Sequence, residues 1–413
     1  MKKIFVAGLL FLCIAGISIT AFATDRLVIF PVAKRGKSIE HGAPEKQFIL
    51  PGGLPATNPM DLCVEKSSRV DDKVFFPSIK AALDYAEAHG AYSVKLTIDA
   101  GDYPEPLNIT RNTSLMARKT ATVHKSPHIS GSIHNLSGHK LLLENINIMN
   151  AQGIGLEQHG GELRLSNVLV AHTSTRGDLI TSGMGIRLTG GVKASIDSLS
   201  LWDNASTSLF ISGPNTKVKI FNLTIWESRA HPLAIKYSMQ HPKEPFSQGL
   251  AAVDVSNGAL LLVEDYSIKN CEFAGLVARK NGRVHLKSGW VESTRSVAKS
   301  AGGESYGGTN LLSVELGRLE LKNFSTRKAG ACGLMAWGGY MKAATGEVKG
   351  NAIGFSGHNP PAANYDVVKC VTGKDIRYYE NSNNLDTDYL PVPCAPGDAS
   401  CSGAAACPGV AWE

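Results

Sequence analysis

Apolar and polar residues alternate in short runs along this chain, and the runs recur. Between roughly Gly153 and Gly350, six segments line up with a spacing of about 23 residues, among them GIRLTGGVKASIDSLSLWDNAST, SLFISGPNTKVKIFNLTIWESRA and AAVDVSNGALLLVEDYSIKNCEF. Each segment reads as short strands separated by Gly or Asn turns. Strands this short cannot bury a face alone, so the units must stack on one another.

The register can be read directly. A polar column runs through Asn145, Asn167, Ser198, Asn222, Asp265, Ser288 and Asn323. Two residues before it stand Leu143, Leu165, Ile196, Ile220, Val263, Leu286 and Leu321; one residue after it stand Ile146, Val168, Leu199, Leu223, Tyr266, Gly289 and Phe324. The apolar columns are expected to point inward. The polar column is a turn ladder whose stacked amides bond to each other and to the backbone. A Gly column at 161, 191, 258, 282, 317 and 339 marks the preceding turn, with Asn257-Gly258 and Asn281-Gly282 expected to supply positive φ.

Upstream, residues 78–89 predict an amphipathic helix with Ile79, Ala82, Leu83 and Ala86 on one face and Gly90 ending it. A strand, a turn and a strand follow in VKLTIDAGDYPEPLNI. A helix at this end would cover the unpaired edge of the first coil. The predicted architecture is all-β: a right-handed parallel β-helix with an N-terminal capping helix. Its expected bounds are an irregular segment over 24–72, the β-helix over 73–360, and a C-terminal cap with a Cys-containing tail over 361–413.

Residues 1–23 read as a secretory signal, with Lys2 and Lys3, an apolar run, and Ala21-Phe22-Ala23 for cleavage. Export to the periplasm, cell surface or medium follows as the expected localisation. No later segment is apolar enough to span a membrane. Removing the signal lowers the net charge from +6 to +4, which suits an acidic partner without demanding one. Seven cysteines remain: Cys63, Cys271, Cys332, Cys370, Cys394, Cys401 and Cys407. Export permits disulfides, and at least one is expected in the tail. No C-x-x-C pair occurs, which speaks against a zinc site. The cofactor requirement is left open, with Ca2+ as a candidate that no motif supports.

The coil pattern resembles the right-handed parallel β-helix superfamily often called pectin lyase-like, over about residues 73–360. FPSIKAALDYAEAHG followed by VKLTIDAGDYPEPLNI also looks like the start of pectinesterases and their relatives. Their Q-D-T-L and D-F-I-F-G segments are missing, as is the W-I-D-H segment of pectate lyases. The resemblance therefore implies the fold and carries over no catalytic residue.

Three coils carry extra residues at one corner, over 172–184, 228–250 and 294–308. Insertions at one corner of a solenoid often make its binding face, and in β-helices of this kind they wall a cleft over the first-strand face. The outward column expected there is Gly155, Arg187, Phe210, Asp254, Val277, Leu312 and Met335. A uronate lyase needs a cation for the carboxylate and a base for the ring proton. Asp254, Arg187, His231, Lys236 and Tyr237 are the catalytic candidates; Trp202, Trp226, Phe210 and Arg279 are the substrate-binding candidates; no metal ligand is proposed. Trp202 and Trp226 should tile side by side after the third strand, either as a sugar platform or as local core under the loops. Asp203 and Glu227 follow them, as a carboxylate pair or as turn caps. Glu162, Lys193, Lys217, Lys219, Arg283 and His285 read as an ordinary solvated surface.

The expected function is binding of an acidic polysaccharide by a secreted monomer; whether it also cleaves the polymer is left open, and if it does, the class is lyase or glycoside hydrolase. Nucleic acid is not an expected partner. The rival readings are a non-catalytic surface, matrix or adhesin-like protein, and a degenerate homologue that has lost its chemistry.

Overall fold

The computed structural model describes residues 59–65, 75–118, 126–177, 179–241, 246–298, 305–358 and 371–387. The expected signal at 1–23, most of the segment 24–72, and Cys370, Cys394, Cys401 and Cys407 with their expected disulfide lie outside them.

Among the described residues, strands build one 17-stranded and one 11-stranded sheet, and the strands pair in parallel within both. The fold is a right-handed parallel β-helix. Among the described residues the narrow sheet holds one strand per coil, eleven in all, from Leu107–Asn108 to Asn383–Thr387. The wide sheet merges the second and third strands of each coil. Runs such as Lys193–Trp202, Lys217–Trp226, Leu260–Lys269 and Arg283–Glu292 pass through the expected turn as single bent strands.

The bend is the polar column. Asn145, Asn167, Asp265, Ser288 and Asn323 hold φ between 52° and 60°, the left-handed region that Asn and Asp tolerate best. Asn167 donates to Asn145 Oδ1 across 2.8 Å, one rung of the ladder. Ser198 and Asn222 share the column without positive φ.

Inward columns form as expected. Leu143, Leu165, Ile196, Ile220, Val263, Leu286 and Leu321 pair in direct register, coil on coil, and all are buried in the main core. In the neighbouring column large and small residues alternate: Tyr266, Gly289, Phe324, Gly346. A Cβ on Gly289 would overlap the Tyr266 ring, and one on Gly346 would overlap the ring of Phe324. Each ring lies over the glycine of the next coil.

The Gly column needs a correction. Gly161, Gly191 and Gly258 do have positive φ. Gly282, Gly317 and Gly339 do not; the chain there passes against the preceding narrow-sheet strand, at Val255, Ala278 and Ser313, leaving no room for a side chain.

Helix α1 (Ile79–Ala88) starts at Ser78, whose hydroxyl accepts from Ala81 N–H across 3.1 Å. Glu105 from the GDYPEP turn accepts from the Ile79 N–H at 2.7 Å. His89 is the C-cap and Gly90 follows at φ 66°. The predicted apolar face enters the core against the first strands of the wide sheet.

Two boundaries shift. Met60–Val64, expected to be irregular, is a strand paired in parallel with Ser93–Ile98. Val371–Tyr379 and Asn383–Thr387, expected in the C-terminal cap, continue the coils in register. Cys63, Cys271 and Cys332 are free thiols.

Candidate functional site

The three insertions leave the third-strand corner as predicted, but they do not wall an open cleft along the whole first-strand face. Segment 228–250 folds into helix α2 (Pro232–Gln240). Ala230, Ala234 and Leu250 pack with Val277, Leu312 and Val314 into a second apolar cluster, joined by Ile235, Phe246, Met335 and Trp337. The outward column is apolar at Phe210, Val277, Leu312 and Met335, so exposing it would cost free energy and a cover is favoured. Segment 294–308 supplies an antiparallel strand pair, Ser296–Ala298 with Ser305–Gly307.

Arg187, Phe210 and Asp254 do share one column. Phe210 is buried, however, and Asp254 is wholly so. Arg279 seals Asp254: its Nε donates to Oδ1 and Oδ2 at 3.0 and 3.1 Å, and Nη2 donates to Oδ2 at 3.0 Å. A carboxylate and a guanidinium satisfied by each other out of solvent are structural, not presented to a passing polymer. The other candidates do not join them. His231 is the buried N-cap of α2, with Nδ1 accepting from Leu233 N–H at 3.1 Å. Burial pushes its imidazole below the usual histidine range. Lys236 and Tyr237 stand on the exposed side of α2, Tyr237 stacked on His241 at 4.1 Å.

Arg187 is the candidate left at the open end of the column. Its strand neighbour is Glu157, not Gly155, and the next strand brings His134. Glu157 binds both. Arg187 Nη1 donates to Oε1 at 3.0 Å, and His134 Nδ1 lies 3.0 Å from Oε2. His134 and Arg187 keep about a third of their side-chain surface in solvent, Glu157 less. The hydrogen bond from His134 holds Glu157 below the usual carboxylate range, and the Arg187 charge adds to this against the cost of partial burial. An ionised carboxylate only accepts, so Nδ1 carries the hydrogen and Nε2 of a neutral His134 keeps its lone pair. Three successive strands thus present an oriented base and a cation on one shared carboxylate.

His134 and Glu157 were not in the predicted set. Gln158 and Asn135, polar residues, fill the inward positions on these strands and bond to each other at 2.8 Å. The alternation in LEQH therefore misplaces the outward residue by two. The usable signal was the downstream register: counting back from Arg187 lands on Glu157.

Trp202 and Trp226 are in register on adjacent strands, with ring centroids 6.0 Å apart and planes 20° apart. Both are half-buried, and the His172 ring sits 4.7 Å from Trp202. Asp203 accepts from Arg229 at 2.7 Å and faces His172 Nδ1 at 3.2 Å, so it is bound in side-chain pairs. Among the described residues, no group of three or more His, Cys, Asp or Glu is placed to hold a metal ion, and no helix is long and apolar enough to cross a membrane.

Compared with known proteins, the chain matches no family model, no curated protein and no solved structure.

Proposed function

We propose that this is an exported β-helix protein that binds an acidic polysaccharide and holds one uronate residue at the His134–Glu157–Arg187 ladder. The observation that carries the reading is the single carboxylate of Glu157 gripping an imidazole and a guanidinium from its two neighbouring strands. Arg187 has N–H donors beyond the one given to Glu157, and these suit a sugar carboxylate. Neutralising that carboxylate acidifies the ring C–H beside it. His134 Nε2 is the base that takes this proton. The electron pair forms a ring double bond, and the C–O bond to the neighbouring sugar breaks, its oxygen taking a proton from solvent. The outcome is β-elimination with an unsaturated new chain end.

The test is direct. Purified protein is incubated with polygalacturonate, alginate and a glycosaminoglycan, and ultraviolet absorbance and reducing ends are followed together. Absorbance should rise with one polymer and fall to background in His134→Gln. New reducing ends without absorbance would replace elimination by hydrolysis.

One observation favours a second, non-catalytic reading. The apolar part of the column is covered by α2, and Arg187 lies beyond that cover. A protein that binds every polymer tried without cleaving any would fit that reading.

A further inference from the structure

We infer that the outward face of the wide sheet carries a second, separate site, which holds a linear polyanionic polysaccharide across neighbouring coils. A groove of about 370 Å3 runs there between Glu162, Arg164, Lys193, Lys217, Lys219 and Leu262. Four of these side chains are cations and one is an acid.

The arrangement is not what a neutral surface needs. Lys193 and Lys217 are direct partners on adjacent strands, and Lys219 faces Ser195, itself the partner of Arg164. Neighbouring strands lie about 4.8 Å apart, and like charges directly opposite destabilise a sheet. The four cations form no ion pair among the described residues. Glu162, the acid in the lining, lies 3.9 Å from Lys140. Asp197, on the same strand as Lys193, is outside the lining.

The same face two and four coils further on is built differently. His285 pairs with Glu320 at 2.8 Å, and Lys342 pairs with the same carboxylate at 3.4 Å. There the sheet supplies its own counter-charge; in the groove one carboxylate, Glu162, stands in register with Lys193 without an ion pair to it, against four cations.

Apolar surface completes the site. Leu262 beside Lys219 and Phe221 two residues beyond it are both more than a third exposed. An aliphatic or aromatic surface next to cations suits a sugar ring whose faces are apolar and whose substituents are anionic. The strand spacing is close to a monosaccharide length, so successive acidic groups on one chain meet successive coils. The site does not rest on the reading of the narrow-sheet ladder, which lies on a different sheet.

The experiment measures binding of polygalacturonate and of heparin fragments to the full chain at low and moderate salt. At least one should bind, with affinity falling as salt rises, since exposed charges are screened beyond about 10 Å at 0.1 M. Lys193→Glu/Lys217→Glu should weaken it by about tenfold or more at low salt. Lys322→Glu/Lys374→Glu, an equal change of net charge on wide-sheet strands outside the groove, should shift it by less than about twofold. Circular dichroism checks that both variants fold, and the milder Lys219→Gln should fall between them.

Equal losses in the two Glu variants would reduce the effect to net charge and overturn the site. So would unchanged binding in the groove variant, or binding through these lysines to phosphatidylserine vesicles with neither polysaccharide held. Absence of any unsaturated product, with groove binding intact, removes the narrow-sheet reading and leaves this one standing.

Discussion

Arg279 closes on Asp254 through three hydrogen bonds of 3.0 to 3.1 Å, and neither residue reaches solvent to any useful extent. The two come from successive narrow-sheet coils, so the pair staples one coil to the next. Breaking it strands a buried charge. Asp254→Asn or Arg279→Met alone should cost about 3–5 kcal/mol, and Asp254→Leu/Arg279→Met together should recover most of the loss. Denaturant midpoints of the three variants check this; a double variant as unstable as the sum of the singles would count against it.

Ile220 sits between Ile196 and Val263 in the inward column and is fully buried. Truncation to Ala leaves a cavity that neighbouring layers cannot easily close. The expected loss is about 2–5 kcal/mol. A thermal shift equivalent to under half a kcal/mol would contradict the packing described here.

Tyr266 yields two opposite expectations. Its hydroxyl is buried without a hydrogen-bond partner among the described residues, and burial raises its pKa. Tyr266→Phe removes an unsatisfied group and should be neutral or stabilising by about 1 kcal/mol. Gly289→Ala instead pushes a methyl into the same ring and should cost about 1–3 kcal/mol. Equilibrium unfolding of both variants tests the pair, and a destabilised Tyr266→Phe would point to a bonded hydroxyl.

Acid should weaken the fold in two stages. His231 has its folded pKa lowered by burial, and its cap on α2 needs a bare Nδ1. Below the unfolded value, about 6.5, the unfolded chain binds the extra proton, so stability falls as pH drops from there. Glu157 is also lowered in the fold, chiefly by the His134 hydrogen bond. Its contribution is full above the unfolded value, about 4.3, and is lost as pH falls further, through the folded pKa. His231→Asn keeps a capping oxygen and should remove His231's share of the upper stage, leaving that of His139, whose imidazole pKa is also lowered by burial. Urea midpoints between pH 4 and 8 report it, and an unchanged profile in the variant would assign the upper stage elsewhere.

The coil register was legible because Leu, Ile and Val recur at the inward positions; Ile196, Ile220 and Val263 needed only the period to be placed. The column of Arg187, Phe210 and Asp254 was legible for the same reason. Its covering was not, since nothing local in PLAIKYSMQ says that Ala234 will meet Val277. Glu157 and His134 escaped because Gln158 and Asn135 broke the apolar code that marks the inside. The groove lysines escaped for a different reason. Each alone reads as solvated, and only strand pairing shows that Lys193 and Lys217 stand side by side, with Glu162 next to Lys193 as the single acid of the lining.

The alternation of Tyr266, Gly289, Phe324 and Gly346 repeats every two coils, while the backbone repeats every one. This stretch of the solenoid therefore has an even-numbered grammar. Excising the single coil that contains Gly289 would set Tyr266 directly against Phe324, two rings in a space shaped for one. Excising two would restore ring against glycine. Through this stretch the molecule can lengthen or shorten without repacking only by whole pairs of coils.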